Sequence, residues 1–201
     1  MLNKVEKIIA ARILPEIKEK GRKNFDYNHT RAVVYWIKKI ISQINNKEID
    51  KLILVTSAYA HDWGYINLFK DIEINLEANM ERKKLHMMKG AKMISSYLKK
   101  DLASYFTKKQ INRIVHLVKI HDQVEKVKDE DEILLMEADT LGTLDVKRIK
   151  PTFSKKDNDL FLKREIYNRR LLYFKHPYAL KMAKKLAEER KEYYLNNNFF
   201  K

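Results

Sequence analysis

The sequence predicts a single all-α domain, and three observations carry that prediction. Only 4 of its 201 residues are Gly and 3 are Pro, too few for the many tight turns of a sandwich or barrel. Apolar residues recur at helical spacing, i, i+3, i+4 and i+7, along most of the chain. Strand signals are weak. The β-branched run LILVTSAYA (Leu52 to Ala60) could be a buried strand, but its length and lack of flanking turn residues favour a helix.

Taken in order, the expected helices cover about 2–20, 28–46, 48–62, 81–99, 107–121, 131–145, 157–174 and 177–195. Charges every few residues mark the first as amphipathic, and Gly21 ends it. His29, Val33, Trp36, Ile37 and Ile40 form one stripe of the second. Gly64 closes the third just past the doublet His61-Asp62. In the fourth, His86 shares a face with Gly90, Met93 and Tyr97, and Gly90 leaves room for another element. Ile111, Ile114 and Val118 lead in phase to His121, whereas His116 lies off that stripe near Asn112, Arg113 and Lys119. Asp129 to Glu132 reads as a solvated start to the sixth helix, where Asp139 follows Leu135 and precedes Thr143 on the less polar side. The His176-Pro177 step is a structural junction before the last helix. There is no internal repeat, low-complexity tract or linker.

Composition narrows the chemistry. With no Cys, disulfides and thiolate catalysis are excluded. The first twenty residues lack the continuous apolar stretch of a signal peptide, and no window resembles a transmembrane span, so a cytoplasmic protein is expected. The net charge of +15 comes mainly from 32 Lys spread along the whole chain. That spread fits a lysine-rich composition better than a nucleic-acid groove, but a positive field favours an anionic substrate.

The inward residues are His29, His61, Asp62, His86, His121 and Asp139. Each alone reads as a core histidine, a cap or half of an ion pair. Taken together, with five of them on different helices, they would cost a few kcal/mol apiece if buried without partners. A shared metal removes that cost, and a mixed N/O donor set suits Mn, Fe, Ni, Co or Zn, with Mg if fewer imidazoles bind.

The ordered set of one His, a His-Asp doublet, further His and a distal Asp resembles the HD-domain superfamily of metal-dependent phosphohydrolases. DYNHTRAVV (Asp26 to Val34), AHDWG, HMMKGAKMI (His86 to Ile94) and EADTLGTLD (Glu137 to Asp145) resemble its successive segments. The closing helix MAKKLAEERKEYYLNNNF (Met182 to Phe199), of the type A-x-x-x-A-x-x-R, is similar to that of the small stand-alone bacterial and archaeal branch. The resemblance implies one HD domain over 1–201, with a metal-site core at about 25–145 and C-terminal helices at about 157–196 packed on it. It implies that His29, His61, Asp62 and Asp139 bind a divalent ion, that Asp62 also acts in catalysis, and that His86 and His121 meet the substrate phosphate or a second ion. Two departures stand out. Thr140 and Gly142 occupy places often basic and acidic in the family. Tyr65 and Ile66 stand where HD nucleotidases and (p)ppGpp hydrolases carry an acidic residue, so those two activities lose weight.

The expected function is metal-dependent hydrolysis of a phosphate ester or anhydride, with a nucleotide as the favoured substrate. Two other classes stay open: a non-enzymatic module that binds metal or nucleotide, and a nucleic-acid-directed phosphodiesterase, which the charge suggests but no motif supports.

Overall fold

The computed structural model describes residues 2–23, 25–44, 48–69 and 75–196; these contain eight α-helices and no strand. They are α1 (Leu2–Lys20), α2 (Asp26–Gln43), α3 (Lys51–Ala60), α4 (Leu76–Asp101), α5 (Lys108–Ile120), α6 (Glu130–Leu144), α7 (Lys155–Phe161) and α8 (Pro177–Asn196). The all-α single domain is therefore as expected. Residues 45–46 of the expected second helix, and 197–199 of the closing segment, lie outside the described residues.

Caps account for the shifted boundaries. Asp50 accepts bonds from the backbone N–H groups of Leu52 (2.9 Å) and Ile53 (3.2 Å), so α3 starts at 51 rather than 48. Asn75 caps Ala78 at 2.9 Å and starts α4 five residues early. Thr107 and Gln110 form a capping box on α5, and Asp129 and Glu132 form one on α6. Glu132 is not the solvated residue expected: it is buried and meets His116 and Arg113.

The interior is built on α3 and α6, which are buried almost all round. Every residue of α3 after Lys51 is buried, which is why its run showed no helical alternation. α1 lays Val5, Ile9, Ile13 and Ile17 into the core, each worth about 1.5–3 kcal/mol of burial. α2 crosses α6 closely at Gly142, where a Cβ would come within 2.7 Å of the Val33 side chain. A 3₁₀ turn, Trp63–Tyr65, follows α3 and packs on α4. A Cβ on Gly64 would lie 1.9 Å from the His86 carbonyl oxygen, so only glycine allows this approach. Gly90 completes the contact from the α4 side, its added Cβ falling 3.2 Å from Gly64 N.

The expected helix over 157–174 is a correction. It divides into α7, a π-helical stretch (Leu162–Tyr167) and a 3₁₀ turn (Arg170–Tyr173). An i→i+5 stretch holds an extra residue and rotates the downstream side chains by about 100°. Beyond it Arg170 is buried against α6.

Candidate metal centre

The doublet stands where α3 ends. His61 still has helical dihedrals (φ −54°, ψ −44°), but Asp62 leaves the helix at φ −102°, ψ 6°. Successive residues in a helix point about 100° apart, so this exit lets neighbouring side chains converge. His61 Nδ1 donates to the Ala58 carbonyl at 2.8 Å, which turns Nε2 toward Asp62.

Two donor groups result. His29 Nε2, His61 Nε2 and Asp139 Oδ1 form the first: the two nitrogens are 3.1 Å apart, and they lie 3.0 and 3.7 Å from the carboxylate oxygen. Asp62 Oδ2 joins them at 3.4 Å from His29 and 3.5 Å from His61. The second group is Asp62 Oδ1, His86 Nε2 and His121 Nε2, separated by 3.3 to 3.5 Å. All six residues are at most 5% exposed. The structure thus gathers every residue of the expected set, from five helices or helix ends, at one point.

These distances fit cations. Donors 2.0–2.2 Å from one ion stand about 2.8–3.6 Å from each other, which nearly every pair here satisfies. The tautomers agree. His121 Nδ1 donates to the Val118 carbonyl at 2.9 Å and His86 Nδ1 to that of Arg82 at 3.3 Å, leaving both Nε2 lone pairs facing each other. Two such lone pairs repel unless a cation or proton stands between them. Burial pushes His61 down to about 4 despite Asp62 and Asp139, so its imidazole is neutral at pH 7. Burial would raise the Asp62 carboxyl, but His61, with His121 and His86, holds it well below the usual range. Asp139 is likewise held low against burial, chiefly by Arg170 and His29.

A ring of charge that the sequence did not disclose surrounds the cluster. Arg170 donates to Asp139 Oδ2 at 2.9 Å and Thr140 Oγ1 at 3.0 Å, and its other nitrogen pairs with Asp122. A basic group therefore stands beside the distal Asp, although position 140 is Thr. Lys83 bridges Glu165 (2.7 Å) and Asp122 (3.5 Å), and Arg22 pairs with Asp26 (2.6 Å) and approaches Asp62 at 3.6 Å. Asp122 had a signal: His121-Asp122 repeats the His61-Asp62 dipeptide. It too lies past a helix end, but its Asp serves Arg170 and Lys83 rather than the donor groups. Arg170 had none.

The remaining histidines lie elsewhere. The His116 side chain is 46% exposed and pairs with Glu132 at 2.8 Å. His176 joins Glu137 (2.7 Å) and Glu130 (2.9 Å) at the start of α8.

The cluster opens into a pocket. Phe25, Phe153, Phe161 and Met80 supply its apolar wall. Four lining carboxylates (Asp62, Asp122, Asp139, Glu165) match four lining cations (Arg22, Lys83, Arg170, Arg190). A bound dication would tip this balance positive and draw in an anion.

No curated protein and no solved structure matches the chain. The family model described as HD domain matches residues 26–144, more than half of the chain. That span begins just before His29 and ends beyond Asp139, so it contains both donor groups. By this match, and with the His-Asp doublet at its centre, the chain belongs to the HD-domain family.

Proposed function

We propose that this protein is a metal-dependent phosphohydrolase acting on a phosphate ester or anhydride, with a nucleotide as the preferred substrate class. His29, His61, Asp62 and Asp139 hold the first divalent ion. His86 and His121, sharing Asp62, hold a second ion or meet the substrate phosphate. The observation that carries this reading is the pair of buried donor groups joined through Asp62 at the base of a cation-lined pocket. The same pair favours two ions over one, because each Asp62 oxygen faces its own set of nitrogens.

A bound divalent ion supplies hydroxide at neutral pH and polarises a phosphoryl oxygen. The chain's own groups do the rest. Asp62, ionised at neutral pH, orients the attacking water. Arg170 fixes the Asp139 carboxylate through one nitrogen and Asp122 through the other. Lys83 and Arg22 add positive charge where the phosphoryl oxygens become more negative. The aromatic wall excludes bulk water and offers a face to a base. A concave pocket with apolar and charged walls suits a small substrate better than a polynucleotide backbone.

The test is metal analysis of protein purified without added metal, followed by a panel of nucleoside mono-, di- and triphosphates and simple phosphate esters. The expected result is one or two equivalents of a transition metal and metal-dependent phosphate release. A metal-loaded protein that hydrolyses nothing in the panel would support the binding-module alternative instead.

A further inference from the structure

Tyr65 ends the 3₁₀ turn after the doublet, its N–H donating to the Asp62 carbonyl at 3.0 Å. Tyr65 therefore stands one turn beyond Asp62. Its ring is gripped on two sides. His86 stacks on it with centroids 3.9 Å apart and planes 14° from parallel, and the Arg22 guanidinium lies 3.9 Å from the ring centre. Two flat groups at that distance occupy opposite faces. The ring is therefore fixed, only 5% exposed, and lines the pocket with His29, Asp62 and His121.

The Tyr65 ring is buried, and no hydrogen-bond partner meets its hydroxyl among the described residues. Its neighbours are committed: Arg22 to Asp26 and Asn79, and His86 Nδ1 to the Arg82 carbonyl. An O–H donor on a pocket-lining residue thus has no acceptor among the described residues. A negatively charged oxygen is the acceptor that gains most from a pre-positioned donor.

We propose that the Tyr65 hydroxyl donates a hydrogen bond to a non-bridging oxygen of the substrate phosphoryl group. This assignment rests on the phosphohydrolase reading. It makes the site one that accepts a phosphoryl oxygen here rather than a hydroxyl or an amine, which a carboxylate would favour.

Tyr65→Phe tests it, because the ring stack on His86 survives and only the hydroxyl is lost. The full chain is loaded with Mn²⁺ and titrated calorimetrically with inorganic phosphate, and p-nitrophenyl phosphate hydrolysis is followed in parallel. The variant is expected to keep wild-type metal stoichiometry and a melting temperature within ~2 °C, since no protein partner is lost. Its phosphate Kd should rise roughly 10-fold, and kcat should fall about 100-fold with a smaller change in KM. If wild type binds phosphate and Tyr65→Phe binds and hydrolyses equally well, this assignment is overturned while the phosphohydrolase reading stands. Loss of metal or early melting in the variant would also overturn it, since the hydroxyl would then serve the fold. If metal-loaded wild type neither binds phosphate nor hydrolyses any ester, both fall together.

Discussion

Each oxygen of the Asp62 carboxylate faces one donor group, Oδ2 toward His29 and His61 and Oδ1 toward His86 and His121. Asp62→Asn keeps the shape and removes the charge. Metal content or turnover should drop at least ~10-fold, with helical content unchanged by circular dichroism. A variant that melts early yet binds metal and hydrolyses substrate normally would reduce Asp62 to a local cap. The histidines of α5 give a second test at this scale. His121→Ala should lower kcat ~100-fold or more, whereas His116→Ala, half exposed and paired with Glu132, should stay near wild type. Equal losses would mean that the α5 face is not what orders the site.

At the scale of elements, the turn after α3 and the first half of α4 act as one unit because two glycines touch. Gly64→Ala drives a Cβ into the His86 carbonyl, and backbone cannot swing aside as a flexible side chain can. The expected cost is at the upper end of about 1–3 kcal/mol or beyond, read as a lowered melting temperature together with lost metal binding. Gly90→Ala, whose nearest contact would be 3.2 Å, should cost less.

The junction between α6 and α8 carries its own pH dependence. The hydrogen bond to Glu137, helped by Glu130 and opposed by burial, raises His176 from 6.5 to about 9. Because the folded value is the higher one, protonated His176 stabilises the fold fully below about 6.5, and that contribution fades as pH rises through about 9. His176→Gln should therefore melt well below wild type at pH 6, and the gap should close by pH 10. A gap independent of pH would show that packing, not charge, holds this junction.

For the whole molecule, the donor groups couple metal binding to stability, since they assemble from α2, α4, α6 and the ends of α3 and α5 only in the folded chain. A divalent ion at a hundred times its Kd should add about 2.7 kcal/mol. For a domain of this size that is a rise of roughly 5–10 °C in melting temperature. A chelator should reverse it, and Asp62→Asn should abolish it. No metal-dependent shift in wild type would argue against a resident ion. Among the described residues no helix is long and apolar enough to cross a membrane.

The sequence by itself determined the helical class, the inward face of each helix that bears a donor, and the family resemblance. These are local properties: 3.6-residue periodicity sorts His121 from His116 without knowledge of any other element, and scarce Gly and Pro limit turns wherever they fall. Caps such as Asp50 and Asn75 were also present in the sequence, and boundaries slipped because apolar periodicity fades at helix ends. Tertiary structure alone decided the charge ring. Arg170 reaches Asp139 from about thirty residues away, past a π-helical stretch that changes its direction, so helical phase counted from α7 gives no guide to it. It also decided that Gly64 meets His86 and that Tyr65 is clamped between His86 and Arg22. Those contacts depend on where separate helices come to rest, and packing of whole faces sets that, not the spacing of residues along any one of them.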